Sequence, residues 1–413
     1  MAEVKKINFA NSEYQFDAFA CDCKINTEYL SKDKTTHIFS LFPKDEKHYF
    51  AYMAEKGLIS LPLKGSYDGK AVMPELLGIK EGDVNSVAKF IQEHGFLLPL
   101  CADKNNQIKS DLFFGLIKRL KATIELIASL GNGKNDYAKI VSLTLYLLLS
   151  PQMCIELTTQ ENPFYTCDFQ MSYIWNNVDE INELKIMQED VNYSIKDGLY
   201  IEDSVRPPQT FLTDNDYCES MGYGACEFKN IKNKTTFLFR NAIEATPDCR
   251  LAIDFIYHFC EIFGDIKKYN HTGDLVLEDD RPETYIKIKD ELDEQLQTAL
   301  INLAKRTLKE EIEWNLCGVA PTYDTESMGP TWKVEHLLSG LYLSIFYMRP
   351  NLEIYRTCAN PTCGKQFLVK TTSKKKKYCS IKCTNAMSQR TFRHKKAADI
   401  SARTVDKTNV ETA

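Results

Sequence analysis

Apolar residues recur every three or four positions through Leu112, Leu116, Ile117, Leu120, Ile124 and Ile127, the spacing of one helix face. Ser110 can cap the start of that helix, and Gly131 closes it. The same reading predicts a helix over 83–94 ended by Gly95, and another from Asn135 or Asp136 to Ser150, ahead of Pro151. Residues 250–263, 283–316 and 331–348 complete the helical set. The last carries Val334, Leu337, Leu338, Leu341, Tyr342 and Ile345 on one side, with Pro350 just beyond. Period-two alternation is sparser, and 16–24, 37–42, 58–63, 227–229 and 235–240 read as strands. The expected architecture is mainly α with small β elements, an α+β body.

The longest apolar stretches, 140–149 and 337–348, fall short of the roughly 20 residues that a bilayer needs. Met1-Ala-Glu-Val-Lys-Lys leads into polar residues, not the apolar segment of a signal peptide. The expected location is the cytoplasm, with no membrane partner. With 22 Phe, 21 Tyr and 3 Trp to bury, the bulk of the chain cannot be disordered.

Charge divides the chain. Residues 354–398 contain no Asp or Glu but twelve Lys or Arg. Since the whole chain carries −6 and the last fifteen residues −1, residues 1–353 carry −17. A compact basic segment on an acidic body suggests a module that binds a polyanion, or one that docks on the body itself. The chain accordingly divides into an N-terminal α+β region (1–80), a mostly helical body with a small β insertion near 190–240 (81–353), a basic module (354–398) and a flexible tail (399–413).

Of fourteen cysteines, ten are scattered and read as small buried apolar residues, since a chain without an export signal keeps its thiols reduced. The other four fall in the basic module. Cys358-Ala-Asn-Pro-Thr-Cys363 and Cys379-Ser-Ile-Lys-Cys383 are two short-spaced pairs separated by fifteen residues. That arrangement suits a tetrahedral zinc site made of four cysteines. Pro361 and Gly364 supply a turn around the first pair. Residues 365–370 read as a strand with Phe367 and Val369 facing one way, 371–376 as a hairpin tip, and Lys377-Tyr378 as the returning strand. A helix beginning near Cys379 or Ser380 would put Cys379 and Cys383 on one face of its first turn. Knuckle, hairpin and helix in that order make a treble clef. Four thiolates close the coordination sphere, so the single expected Zn2+ is structural. The apolar content, Phe367, Tyr378, Met387 and Phe392, is too small to fold the module without metal.

On a helical projection Lys382, Asn385, Gln389, Arg393 and Lys396 form one polar, basic stripe, with Arg390 nearer the cysteine side. Those side-chain types read base edges and grip phosphates in a major groove. A merely solvated face would mix in Glu or Asp for pairing one turn away. Lys374, Lys375, Lys376 and Lys377, at the hairpin tip, add phosphate contacts without sequence information. Double-stranded DNA is the expected partner.

Together, Tyr355-Arg-Thr-Cys358 through Phe367, Tyr378 through Asn385, and Gln389-Arg-Thr-Phe-Arg393 resemble the treble-clef zinc fingers of the Cys-Gly-Asn-Arg type. The resemblance covers roughly 351–396. It implies Cys358, Cys363, Cys379 and Cys383 as the ligands, Asn385 as the Asn of the motif, and a bacterial DNA-binding transcription regulator, often with a helical ABATE-type domain ahead of the finger. The chain departs at Thr384 and Ala386, where the family carries Gly and Arg. Residues 90–98 and the helix before the finger are similar to segments of such proteins, over a length too short to transfer function.

The body offers no nucleophile elbow, zincin helix or phosphate-binding loop. Glu278-Asp-Asp280 with Glu283 lacks the alternation of a calcium loop, and His258 lies on an apolar helix face. The expected function is a zinc-finger DNA-binding regulator whose acidic body senses a ligand, binds a protein partner or forms a homo-oligomer. An alternative is a finger used for protein or intramolecular docking. An enzyme with an unrecognised site in the body is the third reading.

Overall fold

The computed structural model describes residues 15–31, 34–53, 57–61, 70–98, 106–131, 136–150, 152–156, 166–170, 247–278, 292–325, 328–348 and 353–393 (364 and 374 excepted), with isolated positions at 231, 232, 235, 236, 239 and 288. Its N-terminal sheet is built on a long antiparallel hairpin, β1 (Gln15–Ser31) against β2 (Lys34–Met53). β3 (Gly57–Leu61) and then β4 (Lys70–Ala71) extend it, and β5 (Asn106–Lys109) pairs with β2 over Ile38–Leu41. Alternation puts Cys21, Cys23, Phe39 and Leu41 in the core.

The short helix α1 (Val72–Leu77) follows β4, and α2 (Val84–His94) crosses β1. The Asp83 carboxylate accepts the Ser86 N–H at 3.0 Å, and Gly95, at φ 83°, supplies a left-handed exit from α2. β5 runs straight into α3 (Ser110–Gly131), which packs on α4 (Tyr137–Leu149). α5 (Pro247–Phe263) and α7 (Leu337–Phe346) pack around α6 (Glu294–Asn315), which also touches α3 and α4. Small hairpins decorate this bundle: β6 (Gln152–Glu156) with β7 (Thr166–Gln170), β8 (Ile266–Tyr269) with β9 (Leu275–Leu277), and β10 (Val319–Asp324) with β11 (Gly329–Val334). The described residues are thus mostly helical with antiparallel sheets. Among them, no helix is long and apolar enough to cross a membrane.

A polar cluster locks the helices together. Arg119 of α3 meets Glu311 of α6 at 2.5 Å, with both side chains buried. The same guanidinium donates to the carbonyls of Leu147 and Ser150 at 3.0 and 2.8 Å, satisfying acceptors that the end of α4 leaves open. Tyr342 of α7 donates to Glu311 at 2.8 Å. One carboxylate and one guanidinium therefore join four helices. Burial holds the Tyr342 hydroxyl well above the usual phenol range, and the Glu311 charge beside it adds to the effect.

Three expected elements differ. The helix expected over 283–316 is interrupted at Leu292 and Asp293: α6 starts at Glu294, where the Asp293 carboxylate accepts the Leu296 N–H at 2.6 Å and caps it, while Ile288 is helical and the rest of 283–291 lies outside the described residues. The helix expected over 331–348 is strand over its first four residues, 331–334. Thr331-Trp-Lys-Val334 is β-prone and pairs with β10, and α7 begins only after His336, whose Nδ1 accepts the Ser339 N–H. The strand expected over 235–240 is helical at Thr235, Thr236 and Phe239. Both threonine hydroxyls donate one turn back, to Ile231 and Lys232 carbonyls at 2.7 and 2.8 Å, which absorbs the residues' β preference. Residues 227–229 and most of the 190–240 insertion lie outside the described residues.

Candidate metal centre and nucleic-acid interface

The C-terminal module is built from β12 (Glu353–Thr357) and β13 (Gln366–Lys370), an antiparallel pair, and a helix over residues 381–393. The pairing corrects the expected hairpin. β13 pairs with the strand ahead of the knuckle, and Lys377-Tyr378 is not a strand. The reason lies in β12, whose five residues match β13 in length. The tip is held instead by Arg356, which donates to the carbonyls of Ser373 and Lys376, and by the Ala359 N–H on the Lys377 carbonyl.

The knuckle owes its shape to Asn360. Its Oδ1 accepts from the Thr362 N–H and hydroxyl at 3.3 and 2.9 Å, and its carbonyl accepts the Cys363 N–H at 2.9 Å. The finger helix starts later than expected, so Cys379 precedes it and only Cys383 lies in its first turn. Ser380 sets the start, with its Oγ accepting the Cys383 N–H at 3.3 Å and its carbonyl the Thr384 N–H at 3.1 Å.

These elements converge on one point. The sulfurs of Cys358, Cys363, Cys379 and Cys383 all lie within 4.8 Å of one another. Cys363–Cys379 and Cys379–Cys383 are each separated by 3.6 Å. Disulfides are excluded, since those need S–S of about 2 Å. Tetrahedral zinc with Zn–S near 2.3 Å sets its sulfurs about 3.8 Å apart, which the cluster matches. The thiols also differ in proton affinity. Burial, then the neighbouring thiols, push Cys379 up to about 12, while hydrogen bonds from Asn360 and Ser380 draw Cys383 down to about 6. A divalent cation would be bound by all four as thiolates. The cluster fits one structural Zn2+.

Residues 355–396 match the CGNR zinc finger. That match spans the finger, and no curated protein and no solved structure matches the chain. The resemblance read from the cysteine pairs therefore holds for the finger, whereas the ABATE-type expectation has no counterpart among these matches.

The finger has a core of its own, Ile354, Cys358, Phe367 and Val369, edged by Tyr378 and the other cysteines. Phe367 and Val369 face inward together, as their alternation predicts. Phe392 does not join them; it is 68% exposed. Tyr355 points the other way, into the body's core beside α3, with Leu368 packed against it. The finger is thereby keyed onto the body through its hairpin. A cleft of about 350 Å3 remains at the junction, between Glu125, Ser129 and Lys139 on one side and Arg356, Lys376 and Lys377 on the other.

The basic residues singled out from sequence mostly face solvent. Lys382, Asn385, Gln389, Arg390 and Arg393 are exposed on the finger helix, and Lys375, Lys376 and Lys377 on the tip, with Lys376 Nζ 5.9 Å from the Phe367 ring centre. Lys374 and Lys396 lie outside the described residues. Asn360 is the residue that sequence reading missed. An Asn before Pro-Thr inside a Cys pair is the turn signal that could have found it. In the body, Cys21, Cys23, Cys249 and Cys260 are buried as expected while Cys317 is exposed. His258 packs edge-on against the stacked rings of Phe239 and Tyr257, a core histidine.

Proposed function

We propose that the protein is a zinc-dependent DNA-binding regulator whose finger helix enters the major groove. The observation that supports this best is the helix surface. It carries Lys382, Asn385, Gln389 and Arg393 in the open, no acid lies anywhere between 354 and 398 to pair with them, and the body is engaged by the hairpin instead. Basic and amide side chains on an unobstructed helix supply both phosphate and base-edge contacts. The Lys375–Lys377 tip would grip the backbone beside it, and the acidic body would repel DNA everywhere else, confining contact to the finger. Cys358, Cys363, Cys379 and Cys383 are the zinc ligands in this reading.

Docking of the finger on its own body, the alternative use of the module, has support in Tyr355, and it uses a different surface. The two roles are compatible, and the docked finger gives the body a route to the DNA contact.

The test is titration of the zinc-loaded chain onto labelled duplex at two salt concentrations, with zinc measured in every sample. Each phosphate contact should add about −0.9 to the slope of log K against log salt. Lys382→Glu/Arg393→Glu should keep one zinc and lose binding. Zinc-loaded protein that ignores duplex at low salt sinks the proposal and leaves the docking role.

A further inference from the structure

The helix face turned away from the zinc carries more than charge. With Ile381 as zero and 100° per residue, Phe392 falls at about 20°, Asn385 at 40°, Gln389 at 80°, Lys382 at 100° and Arg393 at 120°. Cys383 and Met387, the two half-buried positions of the helix, fall at about 200° and 240°, on the opposite side. Ile381 is 80% and Phe392 68% exposed, and with Met328 they are the most exposed large apolar side chains among the described residues. Neither contributes to the finger's core. A helix that needed only solubility and phosphate contacts would gain nothing from these two residues on its outer face.

The centre of the face is the amide pair Asn385 and Gln389, one turn apart, and its ends are the two apolar side chains. In a major groove, Asn and Gln pair with the N6 and N7 edge of adenine, and apolar side chains pack on the C5 methyl of thymine. Lys382 and Arg393 lie along one border of the face, where long cationic side chains reach phosphates. Rise along the helix sets the span. Asn385 and Gln389 stand about 6 Å apart, and Ile381 and Phe392 about 16 Å apart, near two and five base steps respectively.

We infer that the finger selects A·T base pairs, with Asn385 and Gln389 reading adenine and Ile381 and Phe392 packing on thymine methyl groups at the ends of a site about five base pairs long. This selectivity rests on the DNA-binding reading given above. It also accounts for the departure at Ala386, where the motif's Arg, a guanine-reading type of side chain, is absent.

The experiment compares zinc-loaded full-length protein on A·T-rich and G·C-rich duplexes of one length, and on the A·T-rich duplex with every thymine replaced by uracil. Uracil removes the methyl group and leaves base pairing and the minor groove intact. The expected result is binding at least about tenfold tighter to A·T than to G·C, with a several-fold loss on uracil. Ile381→Ala/Phe392→Ala should abolish the uracil effect, and Asn385→Ala/Gln389→Ala should level A·T with G·C. All four side chains are exposed, so zinc content and melting temperature should not move. Equal, salt-sensitive binding to all three duplexes, or a preference for G·C, overturns the A·T selectivity and leaves DNA binding standing. No binding to any duplex overturns both.

Discussion

Arg119 and Glu311 lie inside a body whose apolar core runs from the N-terminal sheet through the helices α3 to α7. The four sulfurs lie inside a finger whose buried core is Ile354, Cys358, Phe367 and Val369. Both are charged clusters joining separate elements, yet they relate to stability in opposite ways. The body has apolar surface enough to fold around an ion pair whose desolvation roughly offsets its attraction. There the pair joins α3 and α6 to the end of α4 and to Tyr342 of α7. The finger has no such reserve, and its strands and helix are brought together by coordination itself.

The largest expected effect follows directly. Chelating the metal should remove folding free energy on the order of 10 kcal/mol from the finger while the helical body stays folded. Circular dichroism should then lose only the small helical signal of 381–393, and hydrogen exchange should rise most in 353–393, with a smaller rise in α3 where Tyr355 packs. Simultaneous melting of the body would break the contrast. In the body, Glu311→Ala should cost about 3–5 kcal/mol in chemical denaturation, because it strands Arg119 without its carboxylate. Arg119→Met/Glu311→Leu should cost less than either single change, which would confirm specification over raw stability as the pair's role.

Tyr355 tests the boundary between the regions. It belongs to the finger's first strand but is buried in the body, so Tyr355→Ala should lower body stability by about 3 kcal/mol. It should leave zinc stoichiometry at one and loosen the coupling between the two melting transitions. A loss of zinc instead would mean that the hairpin depends on the body for its shape.

The legibility of the sequence differed between the regions for the same physical reason. The cysteine spacing announced the metal centre because coordination depends on a few residue types at fixed separations. Helices α2 and α4 were legible because cap and stop agree with the apolar pattern, Asp83 and Asp136 capping them and Gly95 and Ser150 ending them. The 331–348 segment misled because its apolar residues fit both periods until the Thr331–Val334 strand found β10, a partner far from it only in pattern. Asn360 was missed although Asn-Pro-Thr carries a turn signal, because a turn residue has no periodicity to draw attention to it, and the Arg119–Glu311 pair was invisible because its partners lie 192 positions apart. The N-terminal hairpin was legible only in part, since strands of 17 and 20 residues are set by pairing along their whole length.

The smallest expected effect concerns the helix start. Ser380 caps the finger helix immediately after a zinc ligand, and its hydroxyl holds the backbone N–H of the next ligand, Cys383. In an ordinary helix, Ser→Ala at the cap costs about 1 kcal/mol. Here the cost should appear as weaker metal retention, since the cap and the ligand share one turn. Ser380→Ala should therefore release zinc to a competing chelator several-fold more readily, and Ser380→Asp, which preserves the acceptor, should restore retention. The body's melting transition should be the same in all three proteins. If Ser380→Ala retains zinc like the parent, coordination alone fixes that turn, and the finger's dependence on its metal is more complete than the hydrogen bonds imply.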